Sequence, residues 1–377
     1  MAYLDNSATT RVCPEAVEAM VRCMREGFYN PSGVYRPAVD AFREVRACRE
    51  AVLKAVHGED CELIFTSGGT EANNLAILGS VARMRGPQVV AVSAVEHPSV
   101  RESFEALRAQ GHDVRVVGVT ETGELRWDEM ERALDDGASL VSCMQVNNET
   151  GAILDVERLH RRIAGRALLH VDGVQGFLRV PFSMKHAEMY TLSGHKIHAP
   201  KGIGALVVKK GVRLAPRQIG GGQENNLRSG TENTPGIAGL RAAVGAMLAR
   251  GDVAAALMEK KLRLVAAFRK AVPALQVNGP APEDGAPHIV NLSFPGVRGE
   301  TMLHALEAGG IYASTGSACS SKKRKVSPVL LAMGLSPDRA ECALRFSLCP
   351  DTADSEIDEA ARALKGAYDA LKRFQRR

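Results

Sequence analysis

Residues 61–93, CELIFTSGGTEANNLAILGSVARMRGPQVVAVS, contain one complete strand–helix–strand unit. Cys61–Thr66 is a short apolar run of strand length, and Gln88–Ser93 (QVVAVS) is a second. Between them, the stretch from Glu71 to about Arg85 reads as a helix. Two strands joined through a helix need a crossover connection. That connection makes the strands parallel and lays the helix on one face of their sheet.

The alternation continues outward from this unit. Strand-like Val114–Val119 precedes a helix near Trp127–Leu134, and Leu140–Gln145, Ala167–Val171, Met189–Leu192 and Ile203–Val208 are further apolar runs. The pattern predicts an α/β fold whose large domain is built on a mostly parallel sheet covered on both faces. Ligands of such sheets bind beyond the carboxyl ends of the strands, so the loops after strands are where chemistry is expected. From about Pro235 to Ala271 the sequence turns helical and alanine-rich, long enough to link two domains. A turn segment at Gly279–Pro287 then opens a smaller α+β unit that closes with a helix from about Ser355 to Phe374. The expected division is a large domain over 12–250 and a small domain made of 1–11 and 251–377.

Composition narrows the function classes. The 377 residues are 45% apolar and 24% charged, the balance of a globular protein with ample chain for a large core. No apolar run reaches the ~18 residues of a membrane helix. The start, MAYLDNSATT, has neither the basic flank nor the apolar stretch of a secretory signal, so a cytoplasmic protein is expected. The formal charge of +5 is mild for this length and does not argue for nucleic acid. Lys322-Lys323-Arg324-Lys325 reads as a solvated basic loop that could also meet an acidic acceptor or lower a nearby thiol pKa. The eight cysteines form no C-x-x-C pair and no zinc-type spacing, so no metal site is expected.

Four segments could carry chemistry. Thr66-Ser67-Gly68-Gly69-Thr70-Glu71 joins a strand to a helix start; its glycines and free N–H groups suit an anion, and Thr70 also suits an ordinary N-cap. His170-Val171-Asp172-Gly173-Val174-Gln175 puts Asp172 at a strand end, where a buried carboxylate needs a positive partner or else caps the next helix. Ser193-Gly194-His195-Lys196 places a lysine in a strand-end loop, where a desolvated amine can form a Schiff base; Lys201 is near enough in sequence to compete for that role. Ser314-Thr315-Gly316-Ser317-Ala318-Cys319-Ser320-Ser321 sets a cysteine among small polar residues just before four cations, the setting of a reactive thiol. The other seven cysteines read as core residues. An anion cradle, a buried Asp, a Schiff-base lysine and a thiol on one α/β scaffold point to pyridoxal phosphate with sulfur chemistry.

FTSGGTEANN, VEHPSV, VNNETG, HVDGVQ, SGHKIHAPKG, RSGTENT and STGSACSS occur in that order. With them the chain resembles the cysteine desulfurases of the class V aminotransferase group, from Leu4-Asp5-Asn6-Ser7 to Arg345-Phe346-Ser347-Leu348. The resemblance implies fold-type-I architecture with pyridoxal 5'-phosphate as cofactor. It makes Lys196 the Schiff-base lysine and the base at the substrate Cα. Asp172 would pair with the pyridine nitrogen and Gln175 bond the ring hydroxyl. His97 would stack on the ring and serve in proton transfer, and Asn148 would sit near ring hydroxyl and substrate. Gly69, Thr70, Ser193 and His195 would hold the phosphate, with Thr231 of a second subunit completing the cup in a homodimer. Arg345, helped by Asn30, would clamp the carboxylate of L-cysteine, and Cys319 would take its sulfur as a persulfide while alanine leaves. The stretch from Ser320 to Ser327 resembles the longer loop of the iron–sulfur-cluster type. The acceptor implied is an iron–sulfur scaffold protein or a tRNA sulfurtransferase. Tyr35 stands where the family usually has His, Ala38 or Val39 where Gly is common, and Cys349 where Gly is usual. These departures leave a selenocysteine lyase or another β-eliminating enzyme, and a non-catalytic scaffold, as competing expectations.

Overall fold

A computed structural model describes residues 1–315 and 326–374, so the Cys319 segment lies outside the described residues. The strands, in chain order, are β1 (Ala2–Tyr3), β2 (Glu62–Thr66), β3 (Val89–Ser93), β4 (Asp113–Val117), β5 (Leu140–Met144), β6 (Leu168–Asp172), β7 (Met189–Ser193) and β8 (Gly204–Val208). They continue with β9 (Gln276–Asn278), β10 (Ile289–Ser293), β11 (Ile311–Tyr312) and β12 (Ala343–Ser347).

Seven of them form one sheet in the order β2-β8-β7-β6-β5-β3-β4. Six run parallel; β8 alone is reversed, antiparallel to both β2 and β7. The periodicity of Ile203–Val208 is that of a buried strand in either direction, so its sense was not readable from it. The helix after β2 spans Gly69–Val81 and begins two residues before the expected Glu71. From Leu75 to Val81 it is buried on every side, and Leu75, Ala76, Ile77, Leu78 and Val81 supply the apolar surface that such a position needs. The single helical stretch expected over Pro235–Ala271 is two helices, Thr234–Ala249 and Val253–Ala271; Asp252 caps the second by accepting from the Ala255 N–H at 2.9 Å.

The N-terminal residues do not join the large sheet. β1 pairs in parallel with β11, Asp5 bridges to Ser347, and β12-β10-β9 form an antiparallel sheet beside them. The last helix, Asp354–Phe374, packs on Val253–Ala271, where Arg263 pairs with Asp354 and, at 3.1 Å, with Asp358. Of the seven described cysteines, all free, Cys13, Cys48, Cys61 and Cys143 are buried as expected. Cys23, Cys342 and Cys349 are only half-buried, because they lie at the edges of their elements rather than beneath them. Among the described residues no helix is long and apolar enough to cross a membrane, and no cluster of ligands could hold a metal ion.

Candidate active site

The carboxyl ends of β2, β3, β5, β6 and β7 open onto one cavity of about 320 Å³. Each contributes through the loop that follows it: Gly69 and Thr70 after β2, His97 after β3, Asn148 after β5, Asp172 and Gln175 from β6, and Ser193, His195 and Lys196 from β7. Arg345, the middle residue of β12, closes the far wall. Lys201 is exposed and outside the cavity, which decides between the two lysines. Asn30 does not reach it: the side chain is exposed, its Oδ1 accepting the Ser32 N–H at 2.9 Å. Thr231 is likewise exposed and away from this chain's own cavity.

The helix start after β2 has no side-chain cap; Gly68, not Thr70, occupies the N-cap position. Its first-turn N–H groups therefore face the cavity without partners from the chain, the condition under which a helix N-terminus takes an anion. The backbone here admits no side chain: a Cβ on Gly69 would lie 2.7 Å from Val174 Cγ2. His195 beside it is held neutral, its pKa pushed down to about 4 by burial first and by Lys196 and Lys201 next.

Asp172 is buried, and the groups that hydrogen-bond it are neutral. Its Oδ1 accepts the Val174 N–H at 3.0 Å and its Oδ2 accepts the Asn73 amide at 2.8 Å. Lys196 Nζ donates to the carbonyls of Ser7 (2.5 Å) and Ala8 (2.8 Å). Gln175 donates one of its two amide hydrogens to that same Ser7 carbonyl at 2.9 Å. Arg345 makes an ion pair with Asp5 at 2.6 Å and donates to the Asn148 carbonyl at 2.8 Å, while its Nε is buried without a partner. His97 Nδ1 faces Ser99 Oγ at 2.8 Å and the Ser99 N–H at 3.1 Å. Burial holds its pKa down, with the charge of Lys196 assisting and Asp172 opposing.

Asn73, Glu96 and Ser99 also line this wall without having been singled out in the sequence, and Asp5 pairs with Arg345 beside it. Glu96 is wholly buried. Its Oε1 accepts from Ser93 Oγ and from the Met144 N–H at 2.8 Å, and its Oε2 has no partner. Burial, with Asp172 adding to it, pushes the Glu96 carboxyl up from its usual 4.5 to about 8. Below the ordinary carboxyl range both folded and unfolded chains hold this proton. Between about pH 4.5 and 8 only the folded chain does, so this group lowers stability as pH rises through that window. Glu96→Gln keeps the shape and removes the ionisation; relative to wild type it gains on the order of 4 kcal/mol between pH 5 and 8. Parallel urea midpoints for the two proteins across that range would refute this.

The class-V aminotransferase profile ("Aminotransferase class-V") matches residues 2–359. The chain belongs to that family. Within it, a cysteine desulfurase of Trichormus azollae is 39% identical, covering 98% of this chain and 93% of its own. A solved NifS-like protein superposes with a TM-score of 0.89 at 32% identity, over 97% of this chain and 99% of that one. A third relative, SspA solved in complex with cysteine, gives a TM-score of 0.81 at 28% identity, over 94% and 100% of the two chains. The class-V cysteine desulfurases depend on pyridoxal 5'-phosphate, and the residues present here fit it. The uncapped Gly68–Gly69 helix start suits its phosphate. The buried Asp172 carboxylate, with only neutral partners, suits a protonated ring nitrogen.

Proposed function

We propose that this class-V enzyme converts L-cysteine to L-alanine, moving the sulfur to Cys319 as a persulfide and on to an acceptor protein. The observation that carries the reading is Lys196 and Asp172 facing one cavity between an uncapped helix start and a buried arginine. In this reading Gly69, Thr70, Ser193 and His195 hold the cofactor phosphate, and Asp172 holds positive charge at the ring nitrogen. His97 lies against the ring and Asn148 beside it. Thr231 of a second subunit completes the cup of a homodimer. Arg345 takes the substrate carboxylate, a bidentate match that a point-charge lysine cannot reproduce. Gln175 bonds the ring hydroxyl, while its bond to Ser7 fixes the carbonyl that steadies Lys196.

Pyridoxal 5'-phosphate, when bound, supplies an electron sink for the Cα of an amino acid. Lys196 would hold its aldehyde and take the proton from Cα; before reaction its ammonium donates to the Ser7 and Ala8 carbonyls. The Cys319 thiolate would attack the substrate sulfur: an S–S bond forms, the Cβ–S bond breaks with its electron pair left on the carbon side, and alanine is completed by one proton delivered to Cβ and one returned to Cα by Lys196. Cys319 is five residues beyond Ser314, a chain reach of at most about 18 Å. Ser314 is paired with the backbone of Arg345, and on the other side Ser327 donates to Glu149 in the cavity wall at 2.5 Å. In this reading the large domain spans 12–250 and the small one 1–11 and 251–377, so Cys319 belongs to the small domain by sequence. The acceptor is an iron–sulfur scaffold protein or a tRNA sulfurtransferase, and the setting cytoplasmic. The test is product analysis: with L-cysteine and a thiol reductant, alanine and sulfide appear in equal amounts. Pyruvate and ammonia in their place would mean simple β-elimination.

A further inference from the structure

Asn73 lies one turn into the Gly69–Val81 helix, fully buried, and its amide nitrogen donates twice: to Asp172 Oδ2 at 2.8 Å and to Ser99 Oγ at 2.9 Å. A primary amide has two hydrogens, and both are spent here. The amide cannot be turned over, because a carboxylate oxygen requires the nitrogen side toward it. Its own oxygen is buried without a partner, so the side chain is held by what it donates. Ser99 Oγ has accepted one hydrogen and has its own to give, and His97 Nδ1 is 2.8 Å away. The Ser99 backbone N–H, which can only donate, points at the same nitrogen from 3.1 Å. A ring nitrogen facing two donors carries no hydrogen itself.

We propose that Asn73 and Ser99 are positioning residues of the site: one oriented chain of hydrogens, Asn73 to Ser99 to His97, fixes His97 as the Nε2–H tautomer, while the second Asn73 hydrogen ties that chain to Asp172. The link to the cofactor rests on the function proposed above; the tautomer does not, and can be read without any ligand. While the chain is intact, Nδ1 is closed to protons and Nε2 already bears one. His97 thus meets a bound molecule as a hydrogen-bond donor through Nε2–H. Among the described hydrogen bonds Ser99 reaches Asp172 through Asn73, so the two residues act in series on the His97 ring.

Long-range 1H–15N correlation spectra of the full-length, cofactor-free protein test this, with His97 assigned from the signal missing in His97→Gln. The expected spectrum at pH 7 shows Nδ1 bare and Nε2 protonated; a protonated Nδ1 would overturn the proposal. Ser99→Ala leaves only the backbone N–H on the ring, and the His97 shifts move toward a tautomer mixture, which Ser99→Thr restores. Asn73→Leu moves them the same way, and the double variant Asn73→Leu/Ser99→Ala moves them no further than Ser99→Ala, as residues in series require. Additive shifts in the double variant would overturn the series arrangement. For pyridoxal 5'-phosphate, Asn73→Leu raises the dissociation constant by about tenfold through the lost bond to Asp172, whereas Ser99→Ala changes it less. An unchanged constant in Asn73→Leu would overturn the tie to Asp172. A wild-type protein that binds no pyridoxal phosphate but shows the Nε2–H ring would sink the proposed function and leave the tautomer assignment standing.

Discussion

Alanine formation from L-cysteine falls by about four orders of magnitude in Lys196→Ala. The side chain is expected to do two jobs at once, anchoring the aldehyde and moving the Cα proton, and nothing else in the cavity duplicates it. Lys201 is exposed and outside the cavity. His195 is held neutral by burial and by its cationic neighbours. Lys196→Arg is the stricter variant: it keeps a cation that can still donate to the Ser7 and Ala8 carbonyls, yet a guanidinium is not a nucleophile. It therefore retains the fold and loses the activity equally. Steady-state alanine assays on both variants, with circular dichroism as the fold control, make the comparison. Activity in Lys196→Arg within tenfold of wild type would assign the lysine a purely electrostatic role.

Cys319→Ala abolishes sulfide release and protein-bound persulfide while the protein keeps its visible cofactor band, because the cofactor contacts and the thiol are separate sets of residues. The natural control is Cys349, a half-buried thiol four residues past Arg345, 3.6 Å from Thr352 Oγ1. Cys349→Ala retains wild-type sulfide release. If the two variants exchanged behaviours, the sulfur would be carried at the strand end rather than on the loop. Radiolabelled L-cysteine followed by gel analysis without reductant reads the persulfide directly.

The large sheet and the cavity segments at 69–70, 172–175 and 193–196 are legible because local rules determine both, whereas His97, Asn148 and Arg345 enter only through the family resemblance. Apolar runs of strand length alternate with helices, and the chemistry gathers in the short loops after them. The direction of β8 is not legible, since a strand buried on both faces has the same apolar run whichever way it lies. Asn73, Glu96 and Ser99 escape notice for another reason. Each is a common polar residue on or beside a helix, and only burial converts it from a surface group into part of a wall. The Asp5–Arg345 pair joins residues 340 positions apart, beyond any pattern of spacing. Asn30 shows the opposite failure: a position carried over from the family motif is exposed and outside the cavity.

The placement of the first residues has a consequence for biosynthesis. Ser7 and Ala8 supply the carbonyls that hold Lys196, Asp5 pairs with Arg345, and β1 is zipped to β11. These residues leave the ribosome well before their partners at 311–312 and 343–347. A nascent chain can lay down β2 to β8 while synthesis continues, since domains fold as units as they emerge. Its cavity nevertheless remains open on one side until the carboxyl-terminal strands arrive to seat the leading segment. Chains stalled before about residue 347 should accordingly retain the large sheet but lack the arginine wall and the seated amino terminus.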